Sequence, residues 1–200
     1  MTDNTIIYDI GNSRYINLTN ACTLKCAFCP KFNGTWEVKG YELKLDHAPR
    51  SAEIIEKLGD ISTVEEIVFC GYGESTLRLN ELIQVAQWVK SQGGRTRINT
   101  DGLGNLANKR NILPEIKGCI DALSISLNAQ NEAIYKKHCK PGLANSYQAL
   151  LDFIELAPQY IDDVTITAID GLEGVDIKAC EAIASKLGVK FKRRVLDEVG

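Results

Sequence analysis

A chain of 200 residues, 44% hydrophobic and 24% charged, is large enough to bury one sizeable core and ordinary enough in composition to fill it. A net charge of -3 and a pI near 5.5 leave no basic footprint for nucleic acid or an anionic membrane. No apolar run is long enough to span a bilayer, and "MTDNTIIYDIGNSR" lacks the basic start and apolar stretch of a secretion signal, so the chain reads as cytoplasmic.

No repeat, low-complexity tract or Pro/Ser-rich linker interrupts the sequence, which is expected to form one domain over residues 1–200. In chain order, "TIIYDIGNSRYINLT" has the form of a hairpin turning at Gly11-Asn12. A helix near "SAEIIEKLG" precedes the strand "EEIVFC". The next helix, "LRLNELIQVAQWVKSQGG", sets Leu79, Leu82, Ile83, Ala86 and Val89 on one face and ends in glycines. The strand "TRINT", a helical region around Leu106–Ile116 and the strand "DALSISLN" follow, then the helix "NSYQALLDFIELA". Strand "DVTITAI", helix "VDIKACEAIASKLG" and strand "VKFKRRVL" complete the series.

About six β-then-α units predict an α/β fold with a parallel sheet and right-handed crossovers. Eight units and about 250 residues would close a full barrel; this chain is shorter, so a partial, open (βα)6 TIM-like barrel with an N-terminal hairpin is expected. Strand parity adds what the interior contains. Leu123, Ile125 and Leu127 share one face of their strand, and Ser124, Ser126 and Asn128 share the other. Ile16 and Leu18 oppose Asn17 and Thr19, and Val164 and Ile166 oppose Thr165 and Thr167. With the apolar faces under the helices, the polar faces would line a wet lumen suited to a polar ligand.

Seven cysteines without a secretion signal argue against a disulfide framework. Three of them, Cys22, Cys26 and Cys29, crowd into "ACTLKCAFCPK". Clustered thiols suit zinc or an iron–sulfur centre. Structural zinc prefers four ligands from two separated pairs, and no second pair exists here. Three thiols on a 4Fe–4S cube would instead leave one iron open to a small molecule.

Cys22-x3-Cys26-x2-Cys29, with Phe28 just before the last cysteine, resembles the radical S-adenosylmethionine (SAM) superfamily. "CGYGEST" (70–76) resembles its Gly-Gly-Glu motif, and "INTDG" and "ISLNA" resemble its later strand ends. More narrowly, "INLTNACTLKCAFCPK" followed by "VKGYELKL" resembles small TatD family-associated radical SAM proteins. The resemblance implies that Cys22, Cys26 and Cys29 hold three irons while SAM chelates the fourth. Glu74 would receive the amino group of SAM, with Gly71 and Gly73 permitting close approach. Phe28 would lie near the adenine, and Asn99, Ser126 and Asn128 near the ribose or carboxylate. The implied reaction is reductive cleavage of SAM to methionine and a 5′-deoxyadenosyl radical that abstracts substrate hydrogen. An electron donor such as flavodoxin or ferredoxin and a functional link to a TatD-type hydrolase are implied with it. Glycyl-radical-protein activating enzymes and 7-carboxy-7-deazaguanine synthases stand as alternatives, as does a non-enzymatic iron–sulfur or zinc module.

The remaining signals are weaker. Cys180 lies on an apolar helical face with Ile183, Ala184 and Leu187 and reads as a core thiol. The absence of further close Cys pairs argues against a second cluster, and Cys70 is expected to pack. In "KFKRR" alternation points at most part of the charge inward, with Arg194 the arginine favoured to meet a carboxylate. Lys31 reads as a substrate contact or a surface lysine, and His47 and His138 as loop residues. "AIDGLEG" matches the family's later glycine motif poorly.

Overall fold

The computed structural model describes residues 4–196. Its main sheet opens with an antiparallel hairpin, β1 (Ile7–Ile10) and β2 (Ser13–Ile16), paired Ile7 to Ile16. Gly11 turns it in the left-handed region at φ 59. A two-stranded flap follows the cysteine segment, β3 (Glu37–Val38) and β4 (Tyr41–Glu42). From there helices and strands alternate: α1 (Ser51–Leu58), β5 (Glu66–Phe69), α2 (Leu79–Ser91), β6 (Thr96–Thr100), α3 (Gly104–Asn108), α4 (Leu113–Ile116), β7 (Ala122–Ser126), α5 (Glu132–Cys139), α6 (Ser146–Leu156), β8 (Asp163–Asp170), α7 (Ile177–Leu187) and β9 (Lys190–Val195).

The sheet runs β1-β2-β5-β6-β7-β8-β9, and every pairing from β2 to β9 is parallel. This is the expected partial (βα)6 barrel with its N-terminal hairpin, left open because β1 and β9 do not pair. The core fills the space between the outer sheet face and the helices. Leu123, Ile125, Leu127, Val164 and Ile166 are all buried there, as parity requires.

Several local expectations need correction. The inward stripe of α2 contains Val85, while Ile83 is only half-buried; the stripe follows 79, 82, 85/86 and 89, so Ile83 falls at its margin. The region 106–116 is two short helices rather than one. Lys109 takes a left-handed φ of 54 and ends α3, and Pro114 near the start of α4 begins afresh. The flap was not anticipated; α5 ends at Cys139, just before Lys140-Pro141, which is a helix-end signal in the sequence. Asn131 caps α5 through its side chain, which accepts the Ile134 N–H at 3.0 Å. His138 lies within that helix, buried, with its ring at 2.7 Å from the Glu173 carbonyl, and is not a loop residue.

Charge closes the N-terminal end of the lumen. Glu66 takes Arg97 at 2.7 Å and Arg95 at 3.2 Å, and Asp163 takes Arg95 at 2.7 Å and Lys190 at 2.9 Å. Among the described residues no helix is long and apolar enough to cross a membrane.

Candidate active site

The cysteine loop leaves the C-terminal end of β2 and is fixed by backbone and side-chain bonds to other parts of the chain. Asn20 reaches Leu45 twice, donating to its carbonyl at 2.7 Å and accepting its N–H at 3.0 Å. Glu74 N–H donates to Ala21 O at 2.8 Å, and Gly142 N–H to Thr23 O at 3.0 Å. The end of α5 takes the other side, with Lys25 N–H on Cys139 O at 3.1 Å and Ala27 N–H on His138 O at 2.8 Å. Lys31 ties the loop's far end: its ammonium donates to Tyr72 O at 2.6 Å and Asn20 O at 3.0 Å and sits over the Phe32 and Trp36 rings. That is an internal brace, neither a free surface lysine nor a reaching one.

One cavity of about 710 Å³ opens above this loop and down the lumen. Cys22, Cys26, Cys29, Phe28, Gly71, Gly73, Glu74, Asn99, Ser126, Asn128 and Arg194 all line it. The structure therefore brings together the three cysteines, Arg194 and the residues that the resemblance places around SAM, but not Lys31, His47 or His138. A smaller hollow of about 410 Å³ lies at the opposite end of the strands, between Arg95, Lys117 and Tyr160, away from the thiols.

Three of those residues also serve the chain itself. The missing side chains of Gly71 and Gly73 make room for the chain itself: a Cβ at Gly73 would stand 2.0 Å from Thr19 O, and one at Gly71 2.2 Å from Asn17 Oδ1. Glu74, 3% exposed, is already held from within. Its Oε1 accepts Thr76 N–H at 3.0 Å, the Thr76 hydroxyl at 2.7 Å and the Thr100 hydroxyl at 2.9 Å, and its Oε2 accepts Asp101 N–H at 2.7 Å. Three donors on one oxygen and one on the other leave Oε2 as the atom with acceptor capacity to spare.

Asp101 is the residue that the sequence reading missed. Its carboxylate accepts Leu103 N–H at 2.9 Å and the Thr23 hydroxyl, so it braces the cysteine loop from the end of β6. Burial, and then the neighbouring Glu74 carboxylate, push its carboxyl well up. Arg97, Asn99 and Asp101 share one strand parity and all face the cavity, the signal that would have found it. Cys70, expected to pack, instead faces the lumen beside Asn99, with the Arg97 and Arg194 guanidiniums bearing on it. Cys180 is fully buried, as expected.

The surroundings of the three thiols disfavour the thiolate form. Crowding by protein, and then the Asp101 carboxyl, push Cys22 up to about 12 although its surface opens to the cavity. A hydrogen bond with the Cys139 thiol, and then burial, raise Cys26; burial raises Cys29. A strongly positive metal centre is what draws protons from such thiols. Two buried atoms beside them have no protein partner, Tyr135 OH and Asn128 Oδ1. Three soft donors in one loop, orphaned polar atoms at hand and an open cavity above fit an iron–sulfur cluster with one position left for a second ligand.

The sequence profile of the family described as "Radical SAM superfamily" matches residues 16–187. The chain belongs to the radical SAM superfamily. Its cofactors are accordingly a 4Fe–4S cluster and SAM, and it is an enzyme, which removes the reading as a binding module. A curated relative is the dual-specificity RNA methyltransferase RlmN of Buchnera aphidicola subsp. Schizaphis graminum, 31% identical over 123 residues. That match takes in 56% of this chain and 32% of RlmN, so the chain matches about a third of the relative's length. Among solved structures, Streptococcus suis SuiB bound to its precursor peptide SuiA superposes with a TM-score of 0.70 at 14% identity, over 96% of this chain and 41% of SuiB. TYW1 with a lysine-pyruvate adduct gives 0.65 at 15% identity, over 94% and 66%. TsrM from Kitasatospora setae, with cobalamin and a [4Fe-4S] cluster, gives 0.58 at 8%, over 88% and 35%. At these identities the structures speak for the fold.

Proposed function

We propose that Cys22, Cys26 and Cys29 hold three irons of the cluster and that the amino and carboxylate groups of SAM occupy the fourth. The observation that carries this reading is that the three thiols and the Glu74 carboxylate face one cavity from two loops bonded to each other. Glu74 receives the SAM amino group through Oε2, while Thr76, Thr100 and Asp101 N–H hold the carboxylate still. Asp101 and Thr23 keep the cysteine loop at its height above the sheet. Asn99, Ser126, Asn128, Phe28 and Arg194 take the remaining polar and aromatic surface of SAM. When bound, the cluster and SAM supply a 5′-deoxyadenosyl radical, which removes a hydrogen atom from the substrate.

The substrate is read as a molecule with a polar portion that enters the lumen. Asn99, Ser124 and Thr165 stand at one level of three adjacent strands, and Cys70 follows Phe69, the partner of Ile98 on β6. A level built of hydrogen-bonding side chains replaces the branched aliphatic packing of a closed barrel. A one-electron donor such as flavodoxin or ferredoxin, cytoplasmic location and a functional link to a TatD-type hydrolase belong to the same reading. They rest on the family's need for a reductant and on "INLTNACTLKCAFCPK" with "VKGYELKL".

Anaerobic reconstitution with iron and sulfide, then dithionite and SAM, tests it. 5′-Deoxyadenosine is expected from the wild-type chain, and Cys26→Ala should lose both product and iron. Glu74→Gln should keep its iron and weaken SAM binding at least tenfold, seen in the SAM-induced change of the reduced cluster's EPR spectrum. Iron unchanged in Cys26→Ala, or SAM binding unchanged in Glu74→Gln, refutes the residue assignments.

A further inference from the structure

The lower lumen carries cations and hydroxyls that the reaction scheme above does not use. Arg97 is clamped there on two sides: its Nε donates to Glu66 Oε2 at 2.7 Å and its Nη1 to Asn99 Oδ1 at 2.6 Å. Its side chain lines the cavity and is 24% exposed, and among the described residues its Nη2 has no acceptor. Glu66 and Asp163 do not cancel the charge of this floor, because they are shared among Arg95, Arg97 and Lys190, three cations against two carboxylates. Above the floor, Ser124 stands beside Thr165 in the register of β7 and β8, and Thr167 stands beside Lys192 of β9. All four line the cavity. Thr167 is 3% exposed, yet neither its hydroxyl, nor those of Ser124 and Thr165, nor the Lys192 ammonium has a hydrogen-bond partner among the described residues. Buried polar groups ordinarily find partners. Arginine and lysine can only donate, so the partner that this wall lacks is an acceptor. The other carboxylates of the cavity do not supply it: the chain holds Glu74 and Asp101 at the cysteine end, and Glu37 is exposed on the flap.

We infer that the lumen wall from Arg97 to Lys192 binds an oxyanion, a carboxylate or phosphate carried by the substrate. The inference rests on reading the cysteine end of the same cavity as the SAM site. Arg97 offers a planar fork that suits either group, already held in place by Glu66 and Asn99. Lys192 adds a second cation, and the hydroxyls of Ser124, Thr165 and Thr167 donate to the remaining oxygens. From Arg97 to Asp101, which braces the cysteine loop, β6 rises about 13 Å. The anion is thus anchored well below the cysteines, and the hydrogen removed belongs to a part of the substrate remote from its charge.

The test uses the full chain, reconstituted anaerobically, left unreduced and saturated with SAM. Inorganic phosphate and acetate are titrated in separately by calorimetry at constant ionic strength, and SAM binding is measured on the same samples. Saturable binding of at least one of the two anions is expected, and the tighter one names the group. Arg97→Gln and Lys192→Gln should each weaken that binding at least fivefold while leaving SAM binding unchanged. Arg193→Gln, whose parent side chain pairs with Asp170 instead, should bind the anion as wild type does. If Arg97→Gln fails to fold, Lys192→Gln decides by the same criterion. No saturable binding of either anion, or binding equal to wild type in Arg97→Gln and Lys192→Gln, overturns the inference. So does anion binding that SAM abolishes, which would give these cations to the carboxylate of SAM itself. If the wild-type chain binds no SAM, the proposed SAM site falls, and the anion titration without SAM still decides this inference through the same variants.

Discussion

Glycine at position 73 is required by the backbone of the neighbouring loop. With a Cβ 2.0 Å from Thr19 O and 2.7 Å from Ala21 O, Gly73→Ala must push the cysteine loop away from the strand end. Overpacking of this kind costs about 1–3 kcal/mol, and a chain of this size loses about 2–4 °C of Tm per kcal/mol. Gly142→Ala is the control, since its Cβ would meet nothing nearer than 3.4 Å. We expect Gly73→Ala to melt several degrees below Gly142→Ala in calorimetry of the iron-free protein; equal melting would show that the loop yields freely. At this scale the sequence was most informative where residues are close along the chain. Three cysteines and a GYGE motif are local patterns and could be read directly. Asp101, His138 and Cys139 act on that loop from positions far along the chain, and only folding shows that they meet it.

Parity made the strands legible: alternation in "DALSISLN" and "DVTITAI" told which side chains enter the lumen, and the cavity lining agrees except at Leu123, which also borders it. Helix α5 is marked in the sequence only by its end before Lys140-Pro141, because its buried residues are Tyr135, His138 and Cys139, none of them aliphatic, and apolar periodicity has little to register. The elements are joined by charge as well as by packing. Asp121, just before β7, accepts both hydrogen bonds from Lys90 of α2, at 2.8 and 2.9 Å, and the Thr96 N–H of β6 at 2.8 Å. Burial works to raise its carboxyl, but Lys90 and Thr96 outweigh it and hold it below the ordinary 3.8. A carboxyl lowered by folding stabilises the fold above its unfolded value, and that stabilisation is lost as pH falls through the lowered one. Asp121→Asn should therefore cost about 1–3 kcal/mol at pH 7, with the gap from wild type narrowing below about pH 4. Melting curves for both proteins at pH 7 and pH 3 check this; an equal gap at the two pH values would contradict it.

The whole molecule is a barrel with one seam left open, between β1 and β9. Among the described residues strand β9 pairs only with β8, so its outer edge there offers unpaired backbone groups, a surface prone to pairing with another chain. The run "KFKRR" guards it, with Lys190, Lys192 and Arg193 exposed. Lys190→Val combined with Lys192→Val is expected to cause concentration-dependent association, read as rising mass in size-exclusion chromatography with light scattering. A constant mass would show that the edge is protected by other means. Length and the count of β-then-α units made this open architecture legible in the sequence. The flap and the charged floor were not, because two-residue strands and ion pairs between distant strands leave no periodic trace.

The clamp on the cysteine loop also orders events in time. Lys25 and Ala27 are held by carbonyls that follow about a hundred residues later in the chain. At about 5–20 residues per second of synthesis, the three thiols leave the ribosome on the order of ten seconds before their support exists. Until α5 is made and docks, the loop that carries the three thiols lacks the two backbone bonds that hold its far side.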